Sequence, residues 1–217
     1  MTCSPARVDR LAAVRTVAAL AAAAAILLQG AHVARMGRFS LATFLSFFTI
    51  QSNLIALAVL LVEARGGLGL DAERRGALRG AATVYVLVAG IVYAVLLADL
   101  PAARAVSHPV ANPLLHVAVP AWMALDWLAS PPQAVIRYSR TLLWLVYPYL
   151  YLFASLLRGR LTGWYPYPFL DPRSPGGWIG LVAVCAGITA LACALAALLL
   201  VAARWRRRGA PEPVPEA

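Results

Sequence analysis

The chain has 217 residues, 62% of them hydrophobic, with a mean hydropathy of +0.75. Soluble domains average roughly 45–50% apolar residues, so composition excludes an ordinary water-soluble fold and points to an integral membrane protein. The formal net charge is +10 and all 19 basic residues are Arg; these lie in loops between apolar runs, so no nucleic-acid partner is expected.

Six apolar runs predict an all-α, polytopic bundle of six transmembrane helices over residues 1–208. Span one covers about Leu11 to Ala34. Its positive flank and Ala-rich body resemble a signal peptide, but the apolar stretch exceeds the ~7–15 residues of such a segment, so it is read as a span. Span two, Ser40 to Val62, contains no charged residue. A Gly- and Arg-rich loop, Glu63 to Arg79, precedes span three, about Gly80 to Ala98. Span four covers about Pro109 to Ala129 and ends at Ser130-Pro131-Pro132. Span five, about Thr141 to Leu157, carries Tyr147-Pro148 as an expected kink. An aromatic- and Pro-rich loop, Arg158 to Gly176, leads to span six, about Gly177 to Ala203, and the basic anchor Arg204 to Arg208. Residues 209–217 are Pro-rich and are expected to form a disordered cytoplasmic tail. Cys3, Cys185 and Cys193 make neither a disulfide framework nor a metal pattern.

Six spans put both termini on one side of the membrane. That side collects Arg7, Arg10, Arg15, Arg65, Arg74, Arg75, Arg79, Arg137, Arg140, Arg204, Arg206, Arg207 and Arg208, which is 13 of the 19 arginines; the other side has 6. The expected location is a cell membrane, multi-pass, with both termini cytoplasmic. The loop Trp164 to Phe169 is then at the outer interface.

Two spans carry candidate chemistry. Span two holds Ser46, Thr49, Ser52 and Asn53 amid apolar residues, and lipid offers such groups no partner. On a continuous helix Ser46, Thr49 and Asn53 share a face, with Ser52 beside it. Span four holds His116, the only histidine well inside an apolar run, with Asn112 one turn before it. Both spans enter from outside, so Thr49 lies ~14 Å deep and His116 ~10 Å deep. Intramembrane ionisable residues are functional candidates by default. The plainer reading is structural: Thr, Ser, Asn and neutral His join neighbouring helices for roughly 0.6–2 kcal/mol. Tyr85 and Tyr93, and Tyr147 and Tyr151, read as packing pairs. Asp126 is expected to snorkel or to pair with Arg137 or Arg140.

The segments Phe48-Thr49-Ile50-Gln51-Ser52-Asn53 and His116-Val117-Ala118-Val119-Pro120, with Tyr167-Pro168-Phe169 before the last span, resemble the androgen-induced and androgen-dependent six-helix membrane protein family over about residues 10 to 205. The resemblance implies an intramembrane hydrolase of fatty acid esters of hydroxy fatty acids, with Thr49 as nucleophile and His116 as its base. Thr43 also fits the Thr-aromatic pattern; the polar cluster of Ser46, Ser52 and Asn53 favours Thr49. Asn112 is expected to orient the imidazole, and Asn53 or Ser52 to donate to the oxyanion.

Three function classes follow. The first is a lipid ester hydrolase using Thr49 and His116, with no cofactor and with a membrane lipid or acyl ester as partner. The second is a non-enzymatic protein that binds or transports a lipid. The third, a zinc amidase, lacks ligands: span six has no His, Asp or Glu, and His32 and His108 sit at span ends, so no metal is expected. Ion transport is disfavoured because no span shows a carboxylate near its middle.

Overall fold

The computed structural model describes residues 5–208; the expected tail, 209–217, and Cys3 lie outside the described residues. A long helix α1 (Pro5–Arg35) is followed by a one-turn helix α2 (Leu41–Phe44) and by α3 (Phe48–Ala64). Helix α4 (Ala72–Val92) starts where the Asp71 carboxylate accepts the Arg74 amide at 2.8 Å, and it runs on into a π turn, Tyr93–Leu97. A short α5 (Pro101–Val106) crosses to α6 (Ala111–Pro113), which continues through a second π turn (Leu114–Ala118) into α7 (Val119–Ala129). Helix α8 (Tyr138–Leu142) and a 3-10 turn lead to α9 (Val146–Thr162), and α10 (Gly177–Arg208) closes the described chain.

All regular structure among the described residues is helical. Among the described residues, four helical runs are long and apolar enough to cross a membrane: Asp9–Arg35, Ala72–Leu97, Ser139–Thr162 and Gly177–Arg207. Helix α3 is apolar but has 17 residues. The run Ala111–Ala129 carries Asn112, His116 and Asp126, which lower its hydropathy.

Helix α4 is the centre of the bundle. Every residue from Arg79 to Val86 is buried, the pattern of a helix enclosed on all sides. Small residues make this possible: Ala19 and Ala22 of α1, Ala56 of α3 and Ala82 of α4 are all within 1% of full burial and pack around Leu60, Val86 and Met123. Where small side chains face each other, helix backbones approach closely and gain dispersion contacts that lipid tails do not replace.

The structure departs from the sequence-based expectation in span two. Ser40 to Val62 is not one helix; the chain breaks at Leu45–Phe47, and Phe47 is extended (φ −82°, ψ 126°). Ser46 supplies the local cause. Its hydroxyl donates to the Ala42 carbonyl at 2.6 Å, while its own carbonyl accepts from the Tyr151 hydroxyl at 2.9 Å. Arg158 of α9 adds bonds to the Ala42 carbonyl, Thr43 Oγ1 and Ser46 Oγ. Side-chain bonds of this kind compete with helix propagation.

The expected kink at Pro148 takes the form of the 3-10 turn Leu143–Leu145 just ahead of α9. Pro148 has no N–H for the carbonyl four residues back. That carbonyl, of Trp144, accepts instead from the Tyr85 hydroxyl at 2.8 Å.

Asp126 neither snorkels nor pairs with Arg137 or Arg140. It is 3% exposed and lies in a buried ion cluster. Arg15 of α1 grips it through Nε and Nη2 at 2.8 and 3.2 Å, and Arg79 of α4 reaches it at 3.3 Å. Glu63 of α3 joins through Arg15 at 3.3 Å and Arg75 at 3.0 Å. Arg15 and Arg79 are therefore not loop charges; they lie inside helices, 4% and 3% exposed. Arg140 pairs with Glu73 at 3.3 Å.

Candidate active site

The break before α3 sets the position of Thr49. Because the helix begins at Phe48, Thr49 falls in its first turn, where amide N–H groups have no intrahelical acceptor. The Thr49 amide points to the Tyr167 hydroxyl at 3.4 Å. Its side-chain Oγ1 lies 3.2 Å from His116 Nε2. Thr49 is 9% exposed and Ser52 and Asn53 are fully buried behind it.

His116 sits in the π turn Leu114–Ala118, in which the Val119 amide bonds the Leu114 carbonyl five residues back. Turns of this kind cluster at functional sites. Two neighbours fix the ring. Its Nδ1 lies 3.0 Å from the main-chain carbonyl of Asn112. A carbonyl only accepts, so Nδ1 carries the proton and Nε2 presents a lone pair to the Thr49 hydroxyl. The Tyr93 ring stacks on the imidazole with centroids 3.9 Å apart and planes 24° from parallel. Tyr93 is itself in a π turn, and its hydroxyl accepts from Asn112 Nδ2 at 2.7 Å.

The motif His116 to Pro120 gains a physical meaning here. Pro120 has no N–H to bond the His116 carbonyl four residues before it. Gly90 of α4 lies against that carbonyl: a Cβ at Gly90 would be 2.4 Å from the His116 oxygen. The absence of a side chain thus lets the central helix contact the histidine backbone.

The predicted residues divide as follows. Thr49 and His116 meet. Asn112 orients the imidazole through its main chain while its side chain holds Tyr93. Ser52 and Asn53 are close but are turned inward: Ser52 Oγ donates to the Thr49 carbonyl at 3.1 Å, and Asn53 Nδ2 to the Thr49 and Leu115 carbonyls at 2.8 and 3.3 Å. Neither has a donor left for an oxyanion. Ser46 is on the turn outside α3 and does not support Thr49. Thr43 is held by Arg158 at 3.2 Å. Sequence reasoning missed Tyr93, read as packing, and the depth of Tyr167, read as an interfacial loop residue. Tyr167 is 9% exposed, and its loop folds inward onto Phe47, Phe48 and Tyr151. Burial pushes the Tyr167 phenol up from its ordinary range, so it keeps its proton as a donor.

Thr49 and His116 open on a cavity of about 700 Å³ whose wall also includes Gln29, Arg38, Asn112 and Trp164. A second cavity, of about 260 Å³ and mostly apolar, lies between α4, α9 and α10. His32 and His108 meet edge to face at 5.3 Å, and among the described residues no three His, Cys, Asp or Glu side chains converge. Comparison with family models, curated proteins and solved structures finds no match to this chain.

Proposed function

We propose that the protein is an intramembrane lipid ester hydrolase in which Thr49 is the nucleophile and His116 its general base. One observation carries the reading: Thr49 Oγ1 is 3.2 Å from a histidine nitrogen whose tautomer is set by the Nδ1 bond to Asn112. A threonine hydroxyl becomes an effective nucleophile only when a base takes its proton. Contact at this distance is what such a transfer requires. The base has no carboxylate behind it; a main-chain carbonyl fills that place. The oxyanion formed on attack is assigned to the Tyr167 hydroxyl, which accepts from the Thr49 amide and keeps its own proton to donate, in place of Ser52 and Asn53. Attack gives an acyl-Thr49 ester and releases the alcohol, protonated by His116. Water then attacks that ester, with His116 again taking the proton and returning it to Thr49 Oγ1 as the bond to the acyl carbon breaks and the free acid leaves.

The resemblance to the androgen-induced and androgen-dependent family supports the same reading, with fatty acid esters of hydroxy fatty acids as the substrate class. It also supports six spans, in which α3 and the Ala111–Ala129 run join the four long helices. The arginine asymmetry supports cytoplasmic termini in a cell membrane. Alkaline phosphatase fusions in a bacterial host are expected to be active after about residue 165 and inactive after about residue 70; the reverse pattern overturns the orientation.

A second reading, a lipid-binding protein without catalysis, draws on the engaged donors of Ser52 and Asn53. Purified protein treated with a fluorophosphonate probe separates the two. Thr49→Ala and His116→Ala are each expected to abolish labelling and ester hydrolysis, with the double variant losing little more, because residues that act as a unit are non-additive. Equal labelling of wild type and Thr49→Ala would favour the binding protein.

A further inference from the structure

The apolar cavity between α4, α9 and α10 is not used by the chemistry above, yet it reaches the nucleophile. Thr49, Leu97 and Tyr167 line both this cavity and the larger one that holds His116, so a single layer of side chains separates the two. We propose that the cavity between α4, α9 and α10 holds the acyl chain of the ester, while the alcohol portion and the attacking water occupy the larger cavity beside His116. The proposal rests on the hydrolase reading.

The shape supports an alkyl chain. On α10 the lining follows one stripe, Cys185, Thr189, Ala192, Ala196 and Leu200, spaced three or four residues apart. From Cys185 to Leu200 the helix rises ~22 Å. One leaflet of a ~30 Å hydrocarbon core is ~15 Å thick, so the groove is long enough to take a whole acyl chain of a bilayer lipid. The small side chains at 185, 189, 192 and 196 leave the space. Phe48, Tyr85, Val88 and Leu152 form the opposite wall.

The chemistry of the wall agrees. The Tyr85 hydroxyl is turned to the Trp144 carbonyl at 2.8 Å, and the Thr189 hydroxyl to the Cys185 carbonyl at 2.9 Å, so neither presents a free group to a ligand. A space lined this way stays dry and favours hydrocarbon. The larger cavity differs: Gln29, Ser107 and Asn112 on its wall are bonded to the protein's own groups, but Arg38, Thr49 and His116 also line it, which suits the leaving alcohol and water. Ala192, 5% exposed, sits midway along the stripe and would set how far a chain can extend.

The test uses the full chain in detergent and two readouts. Palmitic acid carrying a terminal diazirine is photolysed with the protein and its adducts are mapped by mass spectrometry. Separately, butyryl and palmitoyl esters of one chromogenic alcohol are hydrolysed. In wild type, adducts are expected on α9 and α10 residues facing the cavity. In Ala192→Phe those adducts fall at least fivefold, and the palmitoyl-to-butyryl rate ratio falls at least tenfold. Ala194→Phe, an equal change on the exposed side of α10, leaves both as in wild type. Ala196→Phe, one turn further along, carries the test if Ala192→Phe does not fold. Unchanged adducts and ratio in the groove variants overturn the proposal, as do adducts at equal yield on exposed positions such as Ile179 and Val182. Adducts in the groove without hydrolysis of any ester leave the chain site standing and remove the hydrolase.

Discussion

At the scale of single residues, the site depends on which proton His116 carries and how firmly its ring is held. The Asn112 carbonyl decides the first, and Tyr93 the second, by stacking on the ring while accepting the Asn112 side-chain amide. Tyr93→Phe keeps the stack and loses that hydrogen bond, typically worth about 1 kcal/mol. Its ester hydrolysis rate is expected to fall roughly fivefold, measured as kcat with KM little changed. Thr43→Ala is expected to remain at least a hundredfold more active than Thr49→Ala, since Thr43 bonds Arg158 and not the imidazole. The pair Thr49 and His116 was legible in the sequence because hydroxyls and imidazoles are costly inside a membrane and stand out there. Tyr93 and Tyr167 were not, because a tyrosine at helical spacing, or in an aromatic loop, looks the same whether it packs or touches a histidine. Only the fold distinguishes them.

At the scale of elements, two local irregularities make the site. The break at Leu45–Phe47 frees the Thr49 amide, and the π turns carry Tyr93 and His116 toward each other. Neither was legible: the apolar run Ser40–Val62 carries no break signal, and the Ser46 turn is held in part by Arg158 and Tyr151, which come from more than a hundred residues away. The motif from His116 to Pro120 was visible, but its partner Gly90 was not. Gly90→Ala would place a methyl carbon against the His116 carbonyl, where backbone and not a movable side chain must yield. Overpacking of this sort costs typically 1–3 kcal/mol. The variant is expected to lower both the thermal transition in detergent and the hydrolysis rate, whereas Ala194→Ser on the exposed face of α10 changes neither.

At the scale of the whole molecule, the far end of the bundle is tied by Arg15, Glu63, Arg75, Arg79 and Asp126. These join α1, α3, α4 and α7, the same four helical runs that pack around the central core. The sequence located the four long apolar runs, because length and hydropathy are properties of a segment alone, but it began span three at Gly80 where the helix starts at Ala72. It placed Arg75 and Arg79 in a loop, because their carboxylate partners lie on other helices. Removing one partner of a buried ion pair leaves an uncompensated charge and costs about 3–5 kcal/mol. Asp126→Asn is therefore expected to lower the thermal transition sharply in fluorescence-detected size exclusion, although it is remote from Thr49. A transition within error of wild type would show that the cluster contributes little.

The inward fold of the loop that carries Tyr167 has a bearing on biogenesis. Thr49, Tyr93 and His116 all emerge from the ribosome before residue 120, but the phenol that meets the Thr49 amide belongs to the connection just ahead of α10. A nascent chain halted after α7 already holds Thr49 and His116, yet the Thr49 amide lacks its phenol partner and the cavity beside it lacks part of its wall. On the hydrolase reading, the site stays incomplete through most of synthesis. Domains assemble from the N-terminus as they are made, and here the last connection to be made is the one that covers Thr49.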